Sequence, residues 1–417
     1  MLSKLIRNGA EVAPYPATLK FTAMSSFKVS GWFAGADENK TMPSFSGRWF
    51  TTFGPMELTQ EGSRVQGFYT FQQNSCPIEG SVRDGRLQFT YQEPTLEGEG
   101  WFELVRHSKF AGQWRPKGDS TWSSWKGERE FEGIWDSSFG LMRLVQEPER
   151  VLGFYEGAGP ATVEGRLENN RLTFRYREAR AQGEGHFELE PDAASFHGEW
   201  RADGTEQWAP WQGRRLVPMP NLLWLVVIEA HWQRSYLEKE YAFGHMLREF
   251  FTRLSHVNIR QRFFEDEAGL ERWCRELMYL PEPVAVVFAS HGTQDGLSVQ
   301  GKPLNTARLV ESLRYADNIL LLHFSSCLML QDGKAGELAR ALQEAVRFPI
   351  SGYDRSVDWA ASALIEFHYL DMVLGRGLSP ADAAKQVLRL VSYAGDEKLS
   401  SSPYPSAGFR ILMPNSR

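Results

Sequence analysis

The sequence predicts two fold classes in one chain: an all-β tandem repeat, then an α/β unit with a mainly parallel central sheet. Three observations carry this. Residues 45–215 repeat themselves with a period of roughly 86 residues. Inside each copy, short runs alternate apolar and polar residues between Gly, Asp and Asn turns, which is the pattern of antiparallel strands. Beyond residue 220, short apolar runs alternate with stretches of helical spacing, which implies a parallel sheet covered on both faces.

A length of 417 residues suits two or three domains. Hydrophobic content of 42% and charged content of 24% are those of an ordinary globular protein. A net charge of -6 does not suggest a nucleic-acid surface. Three cysteines, Cys76, Cys274 and Cys327, argue against a disulfide framework and for a reducing compartment. The first residues lack the apolar core of a signal peptide, and the most apolar run, 222–228, is too short to span a bilayer. A soluble cytoplasmic protein is expected.

Residues 1–44 form an N-terminal extension without a clear pattern; 19–22 and 30–33 suggest the remnant of a degenerate repeat copy. Repeat one (45–129) opens FSGRWFTTFGPMELTQEGSRVQGFY, and repeat two (130–215) carries FEGIWDSSFGLMRLVQEPERVLGFY. Phe45 pairs with Phe131, Trp49 with Trp135, Tyr69 with Tyr155, Trp114 with Trp200 and Trp125 with Trp211. About seven or eight short strands per copy fit a small barrel or sandwich. The Gly-x-Tyr and Gly-x-Trp elements pair strand glycines with aromatic rings, so these glycines mark bends where rings pack. The aromatics read as core; the competing expectation is that a subset lines a ligand or peptide groove. Residues 214–220 (RRLVPMP) hold the linker, 216–220, because Pro218 and Pro220 break a continuing strand.

In the α/β unit (221–417), residues 221–229 read as a first central strand and 233–254 as a helix with Tyr241, Phe243, Met246, Leu247, Phe250 and Phe251 on its apolar side. A strand at 258–264 and a helix at 266–277 follow. Two buried strands, 284–289 and 319–324, flank a crossover helix at 306–315. Next come a helix at 333–346, a strand at 348–353 and helices at 359–374 and 379–392, the last with Ser379 as N-cap and Pro380 as first helical residue.

The strand at 284–289 delivers Ser290-His291-Gly292 at its carboxyl end, and the strand at 319–324 delivers Ser325-Ser326-Cys327. Functional groups of open parallel sheets collect at that edge. A thiol and an imidazole arriving there from neighbouring strands is what cysteine nucleophilic catalysis needs. Phe288-Ala-Ser-His-Gly, followed by Asp295-Gly-Leu-Ser-Val-Gln-Gly, resembles the histidine loop and hairpin of the caspase-like cysteine peptidases. Phe324-Ser-Ser-Cys327 resembles their nucleophile strand, and SGYDRSVDW and LGRGLSPADAA resemble segments of bacterial caspase-like domains. The likeness covers roughly residues 220–400.

The resemblance implies that Cys327 is the nucleophile and His291 its base and later acid, with the backbone N–H groups of Gly292 and Cys327 as oxyanion hole. It implies a protein substrate and no third triad member; by family analogy alone it suggests a defence or cell-death role. The sequence departs from animal caspases around the nucleophile, with Ser326 before Cys327 and Leu328 after it, and has no long loop for processing into two chains. Substrate-pocket residues map onto Ser325, Tyr353, Asp354 and Asp358. A carboxylate from Asp354 or Asp358 there would favour Arg or Lys at P1; the alternative is a turn residue and a helix N-cap.

Cys274 reads as core, Cys76 as an incidental thiol in a turn, and His323 as a strand residue facing a helix. His231 and His245 flank the first helix of the α/β unit. No metal or nucleotide cofactor is indicated, and no Gly-x-Ser-x-Gly elbow points to a small-molecule hydrolase. The competing function is a catalytically inactive caspase-like scaffold whose β-repeats bind a protein or ligand. If the protease is active, the repeats either occlude its groove, recruit its substrate or receive an activating partner.

Overall fold

The computed structural model describes residues 44–147, 150–156, 159–232, 237, 242–397 and 402–415. The extension expected over 1–44, apart from Ser44, and the opening part of the helix expected at 233–254, Tyr241 included, lie outside the described residues.

Each repeat closes on itself as an eight-stranded antiparallel barrel. The first is β1 (Gly47–Thr51), β2 (Gly54–Glu61), β3 (Arg64–Phe71), β4 (Asn74–Arg83), β5 (Arg86–Gln92), β6 (Glu97–Arg106), β7 (Lys109–Pro116) and β8 (Ser123–Arg129). Each strand pairs with the next, and β8 returns to β1. The second repeats the plan with β9 (Gly133–Ser137), β10 (Gly140–Gln146), β11 (Arg150–Glu156), β12 (Pro160–Glu168), β13 (Arg171–Arg177), β14 (Gln182–Leu189), β15 (Ser195–Ala202) and β16 (Ala209–Arg215). Closure removes the sheet edges that would otherwise invite pairing with other chains.

Period-two alternation points one residue of each pair inward, and the interiors are filled with rings. Trp125 sits edge-on to Tyr69, centroids 4.9 Å apart, and Trp211 holds the same relation to Tyr155 at 5.2 Å. A Cβ at Gly100 would strike the Phe89 ring, and one at Gly185 the Phe174 ring, so these strand glycines make room for aromatics. The paired aromatics quoted from the sequence are therefore core, apart from partly exposed Trp114 and Trp200 at the rim of each interior. Cys76 corrects its sequence reading: the turn falls at Gln72 and Gln73, both with positive φ, and Cys76 lies fully buried within β4.

The α/β unit contains β17 (Leu223–Ala230), α1 (Phe243–Phe251), β18 (Val257–Phe264), α2 (Glu267–Glu276), β19 (Val284–Ala289) and a three-stranded ribbon of β20 (His291–Thr293), β21 (Gly296–Val299) and β22 (Lys302–Pro303). It continues with α3 (Leu309–Leu313), β23 (Ile319–Ser325), α4 (Glu337–Ala345), β24 (Ile350–Tyr353), α5 (Trp359–Leu370), α6 (Pro380–Leu390) and β25 (Phe409–Leu412). The six-stranded sheet runs β18-β17-β19-β23-β24-β25, parallel except for β25. One face packs against α2, α3 and α4, the other against α1, α5 and α6. The caps follow sequence chemistry: Asp266, Asp358 and Ser379 each accept a backbone N–H in the first turn of α2, α5 and α6. Two sequence expectations change. The crossover helix is only Leu309–Leu313, and the edge strand Phe409–Leu412 was not foreseen. Among the described residues no helix is long and apolar enough to cross a membrane.

The barrels meet the α/β unit at the amino ends of its strands. Asp317, just before β23, receives Arg106 at 2.6 Å and Lys109 at 3.6 Å from the first barrel, and Arg143 at 3.2 Å from the second. Arg143 also pairs with fully buried Glu132, which accepts the Gln146 N–H as well. Phe154 of β11 packs on Tyr315, ring centroids 4.9 Å apart, and Arg347 donates to the Val105 carbonyl. These contacts all lie at the end of the sheet opposite His291 and Cys327.

Candidate active site

Parallel pairing sets the site. Ala289 and Ser325 are register partners on β19 and β23, and His291 and Cys327 each follow their partner by two residues. The two chains therefore leave the sheet side by side. The Ser290 N–H donates to Ser326 Oγ at 3.2 Å, joining the two exits. Gly292 then rests on the Cys327 peptide: a Cβ there would lie 2.7 Å from the Cys327 carbonyl carbon and 2.8 Å from its nitrogen, closer than atoms can approach. Only glycine lets the histidine strand come so near the cysteine turn.

His291 begins β20 and is exposed; Cys327 opens a tight turn and is partly exposed. Leu328 holds a φ of 68°, a left-handed conformation in a branched residue that bends the chain sharply past the thiol. The ribbon and this turn are also pinned at their tips. Gln331 donates to Gln294 at 3.1 Å, and Lys334 reaches Asp295 at 2.9 Å. The Cys327 sulfur meets the backbone of the segment after β24, where the Val357 N–H donates to Sγ at 3.5 Å. The Leu328 N–H in turn donates to the Arg355 carbonyl at 3.2 Å, so residues 355–357 overlie the Cys327 turn.

The sequence-derived pocket residues take other places. Ser325 ends β23, half-buried, beside Ala289. Tyr353 is completely buried, and its hydroxyl donates to Glu366 at 3.0 Å, so the ring belongs to the core rather than to a substrate pocket. Burial and the adjoining Glu366 carboxylate raise its hydroxyl far above the usual tyrosine range. The Asp354 carboxylate is taken by Arg355 at 2.7 Å and Arg410 at 2.5 Å. Burial pushes this carboxyl up, but hydrogen bonds from the two guanidinium groups outweigh it and hold it below the usual range. Asp358 caps α5 through the Ala361 N–H at 3.0 Å. The turn-and-cap alternative thus describes both aspartates, and neither stands as an unpartnered acid for a basic P1 side chain.

Two groups escaped the sequence reading. Glu229, at the end of β17, is fully buried and accepts four hydrogen bonds: from Trp232 Nε1 (2.6 Å), the N–H groups of Phe243 (2.6 Å) and Gly244 (2.9 Å), and Gln261 Nε2 (2.6 Å). Two of those donors are the first turn of α1, where a helix amino end favours an anion. Trp232 places its ring against His291, centroids 4.9 Å apart and planes at 84°. Their only sequence signal was a carboxylate ending an apolar strand run. His323 is fully buried in β23, bonded to Ser351 at 2.9 Å and beside Glu366 of α5, and so faces a helix. Cys274 is fully buried in α2. His231 stacks on Phe263, centroids 4.6 Å apart, and His245 approaches the same ring edge-on at 6.5 Å. Among the described residues no cluster of His, Cys, Asp and Glu is arranged to hold a metal ion.

No family model matches this chain, and no curated protein matches it. Among solved structures, a double-mutant transferrin-binding protein B vaccine antigen from Haemophilus parasuis is 12% identical, with a TM-score of 0.16, over 40% of this chain and 44% of that one. Intact Ap-TbpB, with its N and C lobes, is 12% identical with a TM-score of 0.14, over 41% and 45%. The chain spans less than half the length of these structures, and superpositions this loose carry neither fold nor function.

Proposed function

We propose that the α/β unit is a caspase-like cysteine endopeptidase, with Cys327 as nucleophile and His291 as general base and acid. The observation that carries this reading is the seating of Gly292 on the Cys327 peptide, which sets a histidine and a partly exposed cysteine at adjoining strand ends. In the first half-reaction the Cys327 thiol passes its proton to His291, and the sulfur attacks the scissile carbonyl carbon. The imidazolium protonates the departing amine as the C–N bond breaks, leaving a thioester. Water, deprotonated by His291, then hydrolyses the thioester and frees the thiol. The backbone N–H groups of Gly292 and Cys327 are assigned to the oxyanion.

The barrels touch the opposite end of the sheet, so occlusion of the groove by them finds no support. Recruitment of a protein substrate, or reception of an activating partner, is the role inferred for them. Truncation at 216–220 distinguishes the two: loss of protein cleavage with peptide cleavage intact marks recruitment. The reading itself is tested by Cys327→Ala and His291→Ala, each of which abolishes cleavage. A second reading, an inactive scaffold, draws on the Val357 peptide overlying the thiol. Failure of a thiol-directed peptidyl probe to label Cys327 would favour it.

A further inference from the structure

We propose that Trp232 is the positioning residue for the His291 imidazole, and that Glu229 acts through it. The inference rests on the cysteine–histidine reading above. In nucleophile–base pairs the base is oriented by a further group. Here the indole of Trp232 stands perpendicular to the imidazole with centroids 4.9 Å apart, a favourable edge-to-face arrangement. A ring so placed limits rotation of the imidazole about its Cβ–Cγ bond and covers one side of it.

The indole is itself fixed. Its Nε1–H donates at 2.6 Å to Glu229, whose carboxylate is fully buried and held by the α1 amino end and by Gln261. Glu229 is the penultimate residue of β17, the neighbour of β19 in the sheet, so the chain of contacts runs from the sheet core to His291 in two steps. A carboxylate buried away from water needs hydrogen-bond donors, and its four bonds leave it little freedom. Aromatic packing on a rigid support thus holds the imidazole beside the Cys327 turn.

The experiment is the pH profile of Cys327 alkylation by iodoacetamide in the full chain. It needs no substrate, and Cys76 and Cys274 are fully buried, so the reagent reads Cys327. Wild type, His291→Ala, Trp232→Ala, Trp232→Phe and Trp232→Leu are compared. The dyad gives wild type a His291-dependent component of alkylation that His291→Ala lacks. Trp232→Ala and Trp232→Leu are expected to lower that component by about tenfold, the scale of one aromatic pair expressed as a rate. Trp232→Phe, which keeps a ring but not the N–H that anchors it to Glu229, recovers only part of it. If Trp232→Ala does not fold, the Leu and Phe variants decide alone. A profile in Trp232→Leu that matches wild type overturns the positioning role while the dyad stands. Identical profiles for wild type and His291→Ala overturn the dyad instead.

Discussion

Gly292 lies so close to the peptide of Cys327 that no side chain fits between them. Gly292→Ala must therefore push the histidine strand off the cysteine turn. Misplacement of reacting groups by about an ångström costs on the order of a hundredfold in rate. Gly292→Ala is expected to lower peptide cleavage by at least about that factor. Near-wild-type turnover would mean that the two strands are not held together for catalysis.

The junction of the three domains hangs on Asp317. Arg106, Lys109 and Arg143 converge on it from both barrels, and Arg143 is almost wholly buried. Asp317→Asn removes the counter-charge of Arg106 and one of those of Lys109 and Arg143, which keep Glu128 and Glu132; losing hydrogen bonds between charged groups costs about 1–3 kcal/mol. The variant should show an earlier urea transition and faster proteolysis at residues 216–220. An unchanged transition would show the seam to be held by other contacts, such as Phe154 on Tyr315.

The clamp after β24 should be acid-sensitive. Arg355 and Arg410 hold the Asp354 carboxyl below its ordinary value in the folded protein. A depressed folded pKa contributes stability that is present above the unfolded value, about 3.9, and is lost as pH falls through the folded one. The segment over Cys327 should therefore loosen only below about pH 4, read as faster backbone amide exchange at residues 355–357. Asp354→Asn should remove this dependence without altering preference at P1, because the carboxylate is engaged inside the fold.

Beneath the site, Tyr353→Phe deprives the buried Glu366 of a donor. A buried acceptor left short costs about 1–3 kcal/mol. The loss should appear as a lower urea midpoint with an unchanged slope. Unaltered stability would mean that Ser362, His323 or water takes up the carboxylate.

The barrels were legible because their signal is local and doubled. Alternation fixes which residues face inward, and each copy repeats the aromatic positions of the other. The strands expected at 284–289 and 319–324 were legible from their apolar runs, which placed His291 and Cys327 at one sheet edge. What failed was set by tertiary contact. Tyr353 follows an apolar run like a strand-end site residue, but its hydroxyl bonds to Glu366 thirteen positions later. Cys76 sits in polar surroundings in sequence, yet two positive-φ glutamines complete the turn before it and β4 carries it inside. Glu229 and Trp232 left no more than a carboxylate at the end of an apolar run, since their partners come from α1, β18 and the histidine loop.

The measurement that bears most directly on the central claim is cleavage of a P1-varied fluorogenic peptide panel by wild type and Cys327→Ala. The account predicts cleavage by wild type that disappears in Cys327→Ala. Cleavage that survives the substitution, or a wild-type protein that neither cleaves nor shows His291-dependent alkylation of Cys327, would contradict it.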